Sequence, residues 1–560
     1  MKNYYLFILY SFCFICKINA QENYSSLSQK ALETMWEAKD DIGYKKALDI
    51  YEEAFKIFPD SIDGTGRYKA SVLAAELKDN DKAFHYLIPL VEMKVDEEGY
   101  PCWIFVVGKN SENEYKNLLS DPRWNTLKQK ALKDKSEFYK DLEEKEKEFY
   151  SRNGKKLNAI KNPKTLYKEI QKFNPYVEKN NRDYSIFFKI NDSIKTSFLV
   201  HLPKKYNPNK KYPVLFFLHG AVNYASFETY QIPQEVLGGW NRYYTKYAEK
   251  NEVILVFPSS DKNYNWMLDN EGFSMIPEIV KRIKKAINID DDKIFISGHS
   301  NGATGSFSYL MKQPTQFAGF YGFNTYPKVF KAGTFIENSK NRSFINFSTD
   351  KDYYYPPNAN DDFTKLMQKN NLDYKEYRYN GFPHWFPEFD ESEAAYEILF
   401  NDLNNRKRTP FPKEISWEMD NDKYGDIDWL SDIKLDTLGI KAVWHKELNF
   451  KIDKWLIYDD NDSLIIEEVN KNAFDFPRKS GKINAKYNNN SFRIEVSNIK
   501  SFRVNISPEM INIKKKIKVY INDKLYFNEK LKYNRDFMLY NFDNNYDKKQ
   551  IWINSIQFKL

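Results

Sequence analysis

A serine flanked by two glycines is the segment of this sequence best suited to do chemistry. Residues 293–302 read Lys-Ile-Phe-Ile-Ser-Gly-His-Ser-Asn-Gly, so Ser300 lies in a Gly-x-Ser-x-Gly pattern with Gly298 and Gly302. The apolar run before the pattern is typical of a buried strand, and the residues after it favour a helix. Such a turn strains the serine backbone, excludes side chains at both glycines and places the hydroxyl at a helix N-terminus, where the dipole favours negative charge. The pattern predicts Ser300 as a nucleophile.

Attack on a carbonyl group also requires backbone N–H donors for the oxyanion that forms. Asn301 follows the nucleophile directly, so its N–H is one candidate. The second is expected from the loop that follows another buried strand and begins Leu218-His219-Gly220. We expect Ala221 to supply this donor, with Val222 as the alternative, and we interpret His219 as structural.

A serine hydroxyl needs a base that removes its proton. The chain has six histidines, and only His384 and His445 follow Ser300. Where a strand runs through such a turn into a helix, the order along the chain is nucleophile, acid, histidine. His384 lies in the segment Gly381-Phe-Pro-His-Trp, between a predicted strand and a predicted helix, whereas His445 falls in a later β region. We therefore predict His384 as the base.

The acid that orients this histidine is expected in the loop after residues 343–348, an apolar run of strand length. Asp350 and Asp352 both lie in this loop. We predict Asp352, because a proline follows four residues later as in typical loops of this kind, and Asp350 is the alternative. A buried carboxylate here would hold the imidazole tautomer and stabilise its charged form.

Together these residues resemble the α/β-hydrolase superfamily. Within it they are similar to secreted esterases that include feruloyl esterases, acetylxylan esterases and polyhydroxybutyrate depolymerases. The resemblance covers residues 180–405 and implies two-step acyl transfer without a metal or an organic cofactor. Two features depart from the pattern: Ser348 replaces the usual glycine of the acid loop, and the oxyanion loop lacks the Gly-Gly of many lipases. The second departure argues against the lipase subgroup.

Aromatic residues near the predicted triad suggest a wall for an aromatic acyl group or a sugar. Tyr353 and Trp385 are the predicted substrate-binding residues. The same residues could equally be core, as could the others considered for the wall, which are Phe323, Tyr354, Tyr355 and Phe386.

The elements that must position these residues alternate between strands and helices. Further strands are expected at Ser185–Ile190, Thr196–Leu202, Pro213–Leu218, Val253–Phe257, Phe317–Phe323 and Tyr374–Tyr379. Helices are expected at about 240–250, 275–288, 301–313, 360–371 and 390–404. This alternation predicts a mainly parallel sheet with helices on both faces.

The flanking sequence predicts a multidomain chain. Residues 21–132 should be helical and tetratricopeptide-like, because Ala47, Tyr51 and Ala54 recur at helical spacing and Ala83 and Leu87 repeat this about 36 residues later; an ordinary pair of helical hairpins is the alternative. Residues 133–159 should form a charged helical linker. Residues 160–408 should form the α/β-hydrolase domain, and residues 409–560 an all-β sandwich.

The composition and the N-terminal residues limit the expected binding partners and the expected cellular compartment. The 560 residues carry a net charge of only +7 and show no basic block interleaved with aromatics, so a nucleic-acid-binding protein is not expected. Residues 1–20 have the form of a secretory signal peptide, which predicts export to the periplasm or the exterior, with no membrane span after cleavage. Of three cysteines, only Cys102 lies beyond that segment, which excludes an intramolecular disulfide in the mature chain.

Three functions fit this sequence. The first is a serine hydrolase acting on small or polymer-linked carboxylic esters. A serine peptidase of the prolyl-oligopeptidase type is the second, since it would use the same triad. The third is a non-catalytic binding or scaffold protein, since helical repeats and β domains commonly contact proteins or glycans.

Overall fold

The computed structural model describes residues 23–154, 156–222, 230–267, 271–352, 354–355, 357–458 and 463–560. The expected signal segment and Tyr353 lie outside the described residues. The chain divides into two compact units, Met1–Asp141 and Leu142–Leu560. Within the described residues, no helix combines the length and the apolar character that crossing a bilayer requires.

The first unit is helical. α1 packs against α2, and α3 against α4, with Ala47, Tyr51 and Ala54 fully buried. Side chains of Asn or Asp cap the N-termini of these four helices, which satisfies backbone N–H groups that lack partners within the helix. The assignment to tetratricopeptide-like repeats stays a prediction. The helices are α1 Tyr24–Glu37, α2 Asp41–Ile57, α3 Gly64–Glu76, α4 Asn80–Glu92, α5 Ile104–Val107, α6 Ser111–Glu114 and α7 Pro122–Phe149.

Residues 133–149 of the predicted charged linker lie in a helix that begins earlier, and the linker over residues 133–159 stays a prediction. Pro122 begins α7, where proline is tolerated because the first N–H groups of a helix need no partner within it. The helix then runs without a break to Phe149, and the boundary between the two units falls inside it.

The hydrolase domain is built on one sheet with the strand order β1-β2-β4-β3-β5-β6-β7-β8. β2 runs antiparallel to β1 and β4, and the remaining neighbours are parallel. The carboxyl ends of β5 to β8 therefore meet at one edge, where sites in such sheets lie. The strands are β1 Asp183–Lys189, β2 Lys195–His201, β3 Tyr212–Leu218, β4 Ile254–Pro258, β5 Ile289–Gly298, β6 Gly319–Phe323, β7 Ser343–Lys351 and β8 Tyr374–Pro383.

Helices cover both faces of this sheet. Val214 and Phe216 of β3 pack on the side of α11, α12 and α13, whereas Leu215 packs on the side of α10 and α14. Burial on both faces explains the continuous apolar runs of the central strands. The helices are α8 Pro163–Gln171, α9 Pro233–Leu237, α10 Arg242–Asn251, α11 Met275–Ala286, α12 Asn301–Lys312, α13 Pro357–Lys369 and α14 Glu393–Asn405.

The C-terminal region is β-rich, which confirms the predicted order of helical, α/β and β regions. Its strands form sheets with the orders β17-β16-β14-β13-β9, β10-β15-β18 and β11-β12. One helix, α15 Arg535–Asn545, was not expected from the sequence. The strands are β9 Glu414–Met419, β10 Leu430–Leu435, β11 Lys451–Tyr458, β12 Leu464–Asn472, β13 Gly481–Asn488, β14 Ser491–Ser497, β15 Ile499–Ile506, β16 Ile517–Ile521, β17 Lys524–Glu529 and β18 Asn554–Lys559.

Candidate active site

Ser300 occupies a strained turn between β5 and α12. Its backbone angles are φ 56° and ψ −120°, a combination that costs free energy in a non-glycine residue. A Cβ atom on Gly302 would lie 1.8 Å from the Leu218 carbonyl oxygen, and one on Gly298 would lie 2.3 Å from the Gly302 carbonyl carbon. Both positions therefore accept only glycine, as the sequence pattern predicts.

The structure brings Asp352 and His384 together. The loops after β7 and at the end of β8 place His384 Nδ1 at 2.9 Å from each carboxylate oxygen of Asp352, and both side chains are buried. The N–H groups of Tyr354 and Tyr355 donate to Asp352 Oδ1 at 2.9 and 3.0 Å. The alternative acid, Asp350, instead accepts the N–H of Gly381 at 2.7 Å.

Asn324 is a residue of this site that the sequence analysis missed. Its Nδ2 group donates to Asp352 Oδ2 at 2.8 Å and also lies 2.7 Å from Thr349 Oγ1. It follows β6 directly, is fully buried and has a left-handed φ of 54°, which asparagine tolerates better than most residues. A polar residue at the carboxyl end of a buried parallel strand was the available signal.

Two other histidines are neutral and support the loops. Burial and the neighbouring His384 lower the pKa of His299 to about 3. Because a carbonyl oxygen can only accept, the Nε2–H of His299 donates to the His384 carbonyl oxygen at 2.9 Å. Burial also lowers the pKa of His219. The Nδ1–H of His219 donates to the Gly220 carbonyl oxygen at 2.8 Å, and its Nε2 accepts the N–H of Ser260 at 3.1 Å.

The predicted oxyanion donor Asn301 begins α12, and its side chain contacts the loop that carries the other predicted donor, Ala221. The N–H of Val222 donates to Asn301 Oδ1 at 3.2 Å. Because this hydrogen bond occupies the N–H of Val222, it favours Ala221 as the oxyanion donor. Ala221 is exposed and has a left-handed φ of 50°. Asn301 Nδ2 also donates to the Tyr355 hydroxyl at 3.4 Å. Burial raises the pKa of Tyr355, although the facing hydroxyls of Thr304 and Ser300 favour its ionised form.

Exposed aromatic rings surround His384. Tyr354 is 58% exposed, Trp385 37% and Trp240 36%. The centroids of Tyr354 and Trp385 lie 4.8 and 5.1 Å from that of His384, and Trp240 lies 5.8 Å from Trp385. These rings form an apolar rim around the candidate base.

Two residues considered for this rim lie in the core instead. Phe323 and Phe386 are fully buried. Phe323 stacks on Tyr396 and Phe386 packs on Tyr379, and both phenylalanines belong to the core between the sheet and helices α10 and α14. The other predicted substrate-binding residue, Tyr353, lies outside the described residues. Among the described side chains, no group of three or more His, Cys, Asp or Glu residues is arranged to hold a metal ion.

The strand order and the turn at Ser300 define this domain as an α/β-hydrolase. Residues 190–329 match the family model described as "Putative esterase", which supports an ester hydrolase and confirms the resemblance drawn from the sequence. No curated protein matches the chain.

Similar solved structures cover about two fifths of the chain. One is a thermostable esterase with 20% identity and a TM-score of 0.33, where the alignment spans 40% of this chain and 64% of that one. An S-formylglutathione hydrolase from Staphylococcus aureus has 16% identity over 39% of this chain and 98% of its own, with a TM-score of 0.30. A ferulic acid esterase has 17% identity over 40% and 99%, with a TM-score of 0.32.

Proposed function

We propose that the protein is an exported serine hydrolase that cleaves carboxylic esters through an acyl-enzyme. The observation that supports this most strongly is His384 Nδ1 bonded to both oxygens of a buried Asp352, beside the strained turn that carries Ser300. An Nδ1–H donor leaves Nε2 of the imidazole as the acceptor, which is the tautomer a general base requires.

The proposed reaction has two steps. Ser300 Oγ attacks the ester carbonyl carbon while His384 takes the proton of the Ser300 hydroxyl. The N–H groups of Ala221 and Asn301 stabilise the oxyanion that forms. His384 then gives the proton to the leaving alcohol as the carbon–oxygen bond breaks. Water, deprotonated by His384, attacks the acyl-enzyme and releases the acid and Ser300. Asp352 stabilises the imidazolium form in both steps.

The substrate we propose is a small or polymer-linked ester with an apolar ring near the scissile bond. The exposed rings of Tyr354, Trp385 and Trp240 support this, because aromatic rings favour offset or edge-on contact with other rings. Export rests on residues 1–20, which lie outside the described residues. Contact with proteins or glycans through the helical unit or the C-terminal domain is also a proposal.

A fluorophosphonate probe tests the nucleophile. We expect the purified protein to react with the probe and to hydrolyse p-nitrophenyl acetate, and we expect Ser300→Ala to lose both. Absence of labelling in folded wild-type protein would contradict the proposal. Hydrolysis of peptide substrates at rates above those of esters would favour the peptidase alternative.

The same assay distinguishes the two candidate acids. We expect Asp352→Asn to lower kcat by about 10⁴-fold, because a histidine without its carboxylate takes the wrong tautomer. Asp350→Asn is the matched control, and it should retain kcat within a few-fold because Asp350 accepts the backbone N–H of Gly381 in β8 and not a proton of the His384 ring. A reversed order of the two effects would assign the acid to Asp350.

A further inference from the structure

The hairpin β11–β12 exposes apolar side chains that no core requires. Leu464, Ile465 and Ile466 are 49%, 48% and 55% exposed. The two strands pair only with each other and form a sheet separate from the remaining described sheets. Exposed apolar side chains mark candidate ligand-binding surfaces where they adjoin other apolar groups.

The base of this hairpin reaches the loops that carry the candidate active site. The Lys454 carbonyl oxygen accepts a hydrogen bond of 2.7 Å from Asn358, in the first turn of α13 and six residues after Asp352. The ring centroid of Trp455 lies 6.4 Å from that of Tyr326. The C-terminal domain therefore contributes side chains to the catalytic edge of the hydrolase domain.

A row of rings connects Trp455 with the nucleophile. Tyr326 stacks on Tyr355 with centroids 5.3 Å apart and an interplanar angle of 14°. The Tyr355 hydroxyl accepts the hydrogen bond from Asn301, the residue after Ser300. Two ring-to-ring steps thus separate the hairpin from the loop that carries the reacting hydroxyl.

One contact orders the Trp455 ring within the hairpin, and another joins the segment after β12 to the hydrolase domain. The Lys471 ammonium lies 4.0 Å from the centroid of the Trp455 ring, a favourable cation–π contact. Lys328, two residues after Tyr326, pairs with Asp475 at 2.7 Å. A surface positioned in this way loses little conformational entropy when a ligand binds.

The strand register assigns the apolar residues to different faces. Trp455 pairs with Glu467, and position 457 pairs with Ile465. Since paired residues and alternate residues of a strand share a face, Ile465 lies on the face of Trp455, and Ile466 lies on the opposite one. Only the face that carries Trp455 and Ile465 continues the row of rings.

We propose that Trp455 and Ile465 form a distal subsite that binds an aromatic group of an extended ester whose carbonyl lies at Ser300. The inference rests on the proposed function and deepens it, because it assigns part of the substrate specificity to the C-terminal domain. Its basis is the row of ring contacts from Tyr355 through Tyr326 to Trp455, and the exposed Ile465 on the same face as Trp455.

The test compares two exposed isoleucines on opposite faces. The substrates are naphthyl esters in which flexible chains of increasing length separate the ring from the carbonyl, with p-nitrophenyl acetate as the short reference. We expect Ile465→Ser and Trp455→Ala to raise KM about 5- to 10-fold for the naphthyl ester that reaches the hairpin, as expected for loss of one apolar contact. Ile466→Ser should leave that KM within twofold and should hydrolyse p-nitrophenyl acetate like the wild type. In Ile465→Ser and Trp455→Ala, KM should rise more for the long naphthyl ester than for p-nitrophenyl acetate.

Calorimetry in the Ser300→Ala background separates the subsite from the chemistry. Binding of the long naphthyl ester should weaken with Ile465→Ser and not with Ile466→Ser. Equal effects of the two serine variants, or no effect of either, would overturn the subsite. If Ile465→Ser alone weakens binding but the wild-type protein hydrolyses no ester, the subsite would stand and the proposed function would be overturned.

Discussion

Asn301 contributes to the candidate site through its side chain as well as its backbone. Its Oδ1 accepts the Val222 N–H at 3.2 Å, and its Nδ2 donates to the Tyr355 hydroxyl. The neighbouring Ala221 has a left-handed φ of 50°, a conformation that costs an alanine about 1–2 kcal/mol. The bond to Val222 helps to hold that conformation, and with it the direction of the Ala221 N–H.

Substitution of Asn301 by alanine is expected to slow the chemistry and leave binding intact. We expect kcat for p-nitrophenyl acetate to fall about 10- to 100-fold with KM within twofold, because a misdirected oxyanion donor weakens an interaction made only in the transition state. Tyr355→Phe is the comparison, because it removes the hydroxyl that accepts from the Asn301 carboxamide and keeps the hydrogen bond of that carboxamide to Val222. The decrease in kcat should be smaller in Tyr355→Phe than in Asn301→Ala. A KM effect in place of a kcat effect would contradict this role.

At the scale of elements, the geometry of the site depends on how closely α12 approaches β3. The strand ends at Leu218, directly before the oxyanion loop, and its last carbonyl oxygen leaves no space for a side chain on Gly302. This contact between two backbones therefore helps to position both the candidate nucleophile Ser300 and the loop that carries the predicted donor Ala221.

Gly302→Ala should force this contact apart. We expect kcat to fall at least 100-fold, since a displacement near 1 Å can cost that much, and the free energy of unfolding to fall by about 1–3 kcal/mol, as for other overpacked sites. Activity assays and urea denaturation measure the two effects. Gly154→Ala is the control, because a Cβ atom there meets nothing within 4 Å. Normal activity in Gly302→Ala would show that the contact tolerates a shift.

The parallel strands were predictable because burial on both faces gives continuous apolar runs. Predicted ends differ from the observed ones where polar residues continue a strand, as in β5, which begins at Ile289 and not at Lys293. α15 was missed because its Asn- and Asp-rich sequence is a poor helix former and only Met538 and Phe542 are buried. Tertiary contacts of these two residues stabilise the helix.

Site residues were predictable where a local pattern carries them. Gly298, Ser300 and Gly302 lie in one short motif, whereas Asn324 acts through a contact with Asp352, 28 residues later, that no local pattern encodes. The contribution of Trp455 depends in the same way on how the C-terminal domain packs. The catalytic roles of Ser300, Asp352 and His384 stay predictions until labelling tests them.

At the scale of the whole second unit, buried charges join the hydrolase domain to the C-terminal domain. Lys284 of α11 and Arg408, which precedes β9, lie 3.3 and 2.9 Å from Asp547, just after α15. Their side chains are at most 5% exposed. Because a buried charge without a partner is costly, these ion pairs disfavour separation of the two domains.

The charge of Asp547 should make this junction sensitive to acid. Burial alone would raise the pKa of Asp547, but Arg408 and Lys284 hold it well below its usual range. A carboxyl with a lowered folded-state pKa contributes stability above its unfolded pKa of about 3.9 and loses it as pH falls through the folded value. We expect Asp547→Asn to lower the free energy of unfolding by about 1–3 kcal/mol at pH 7, because it removes one anion from a buried cluster. Lys284 then keeps its ion pair with Asp291, at 3.0 Å, and Arg408 keeps its ion pair with Asp292, at 3.1 Å.

Urea denaturation of wild type and Asp547→Asn at pH 7 and pH 3 measures this contribution. The difference between the two proteins should shrink at pH 3, because at that pH the unfolded wild type binds a proton at Asp547 that the folded protein does not bind, which reduces the stability that the carboxylate contributes. Asp543→Asn is the matched control: it lies in the same segment but is exposed, so its effect should stay within about 0.5 kcal/mol at both pH values. A difference that does not change with pH would mean that Asp547 acts through packing, and the two domains would then be joined without help from its charge.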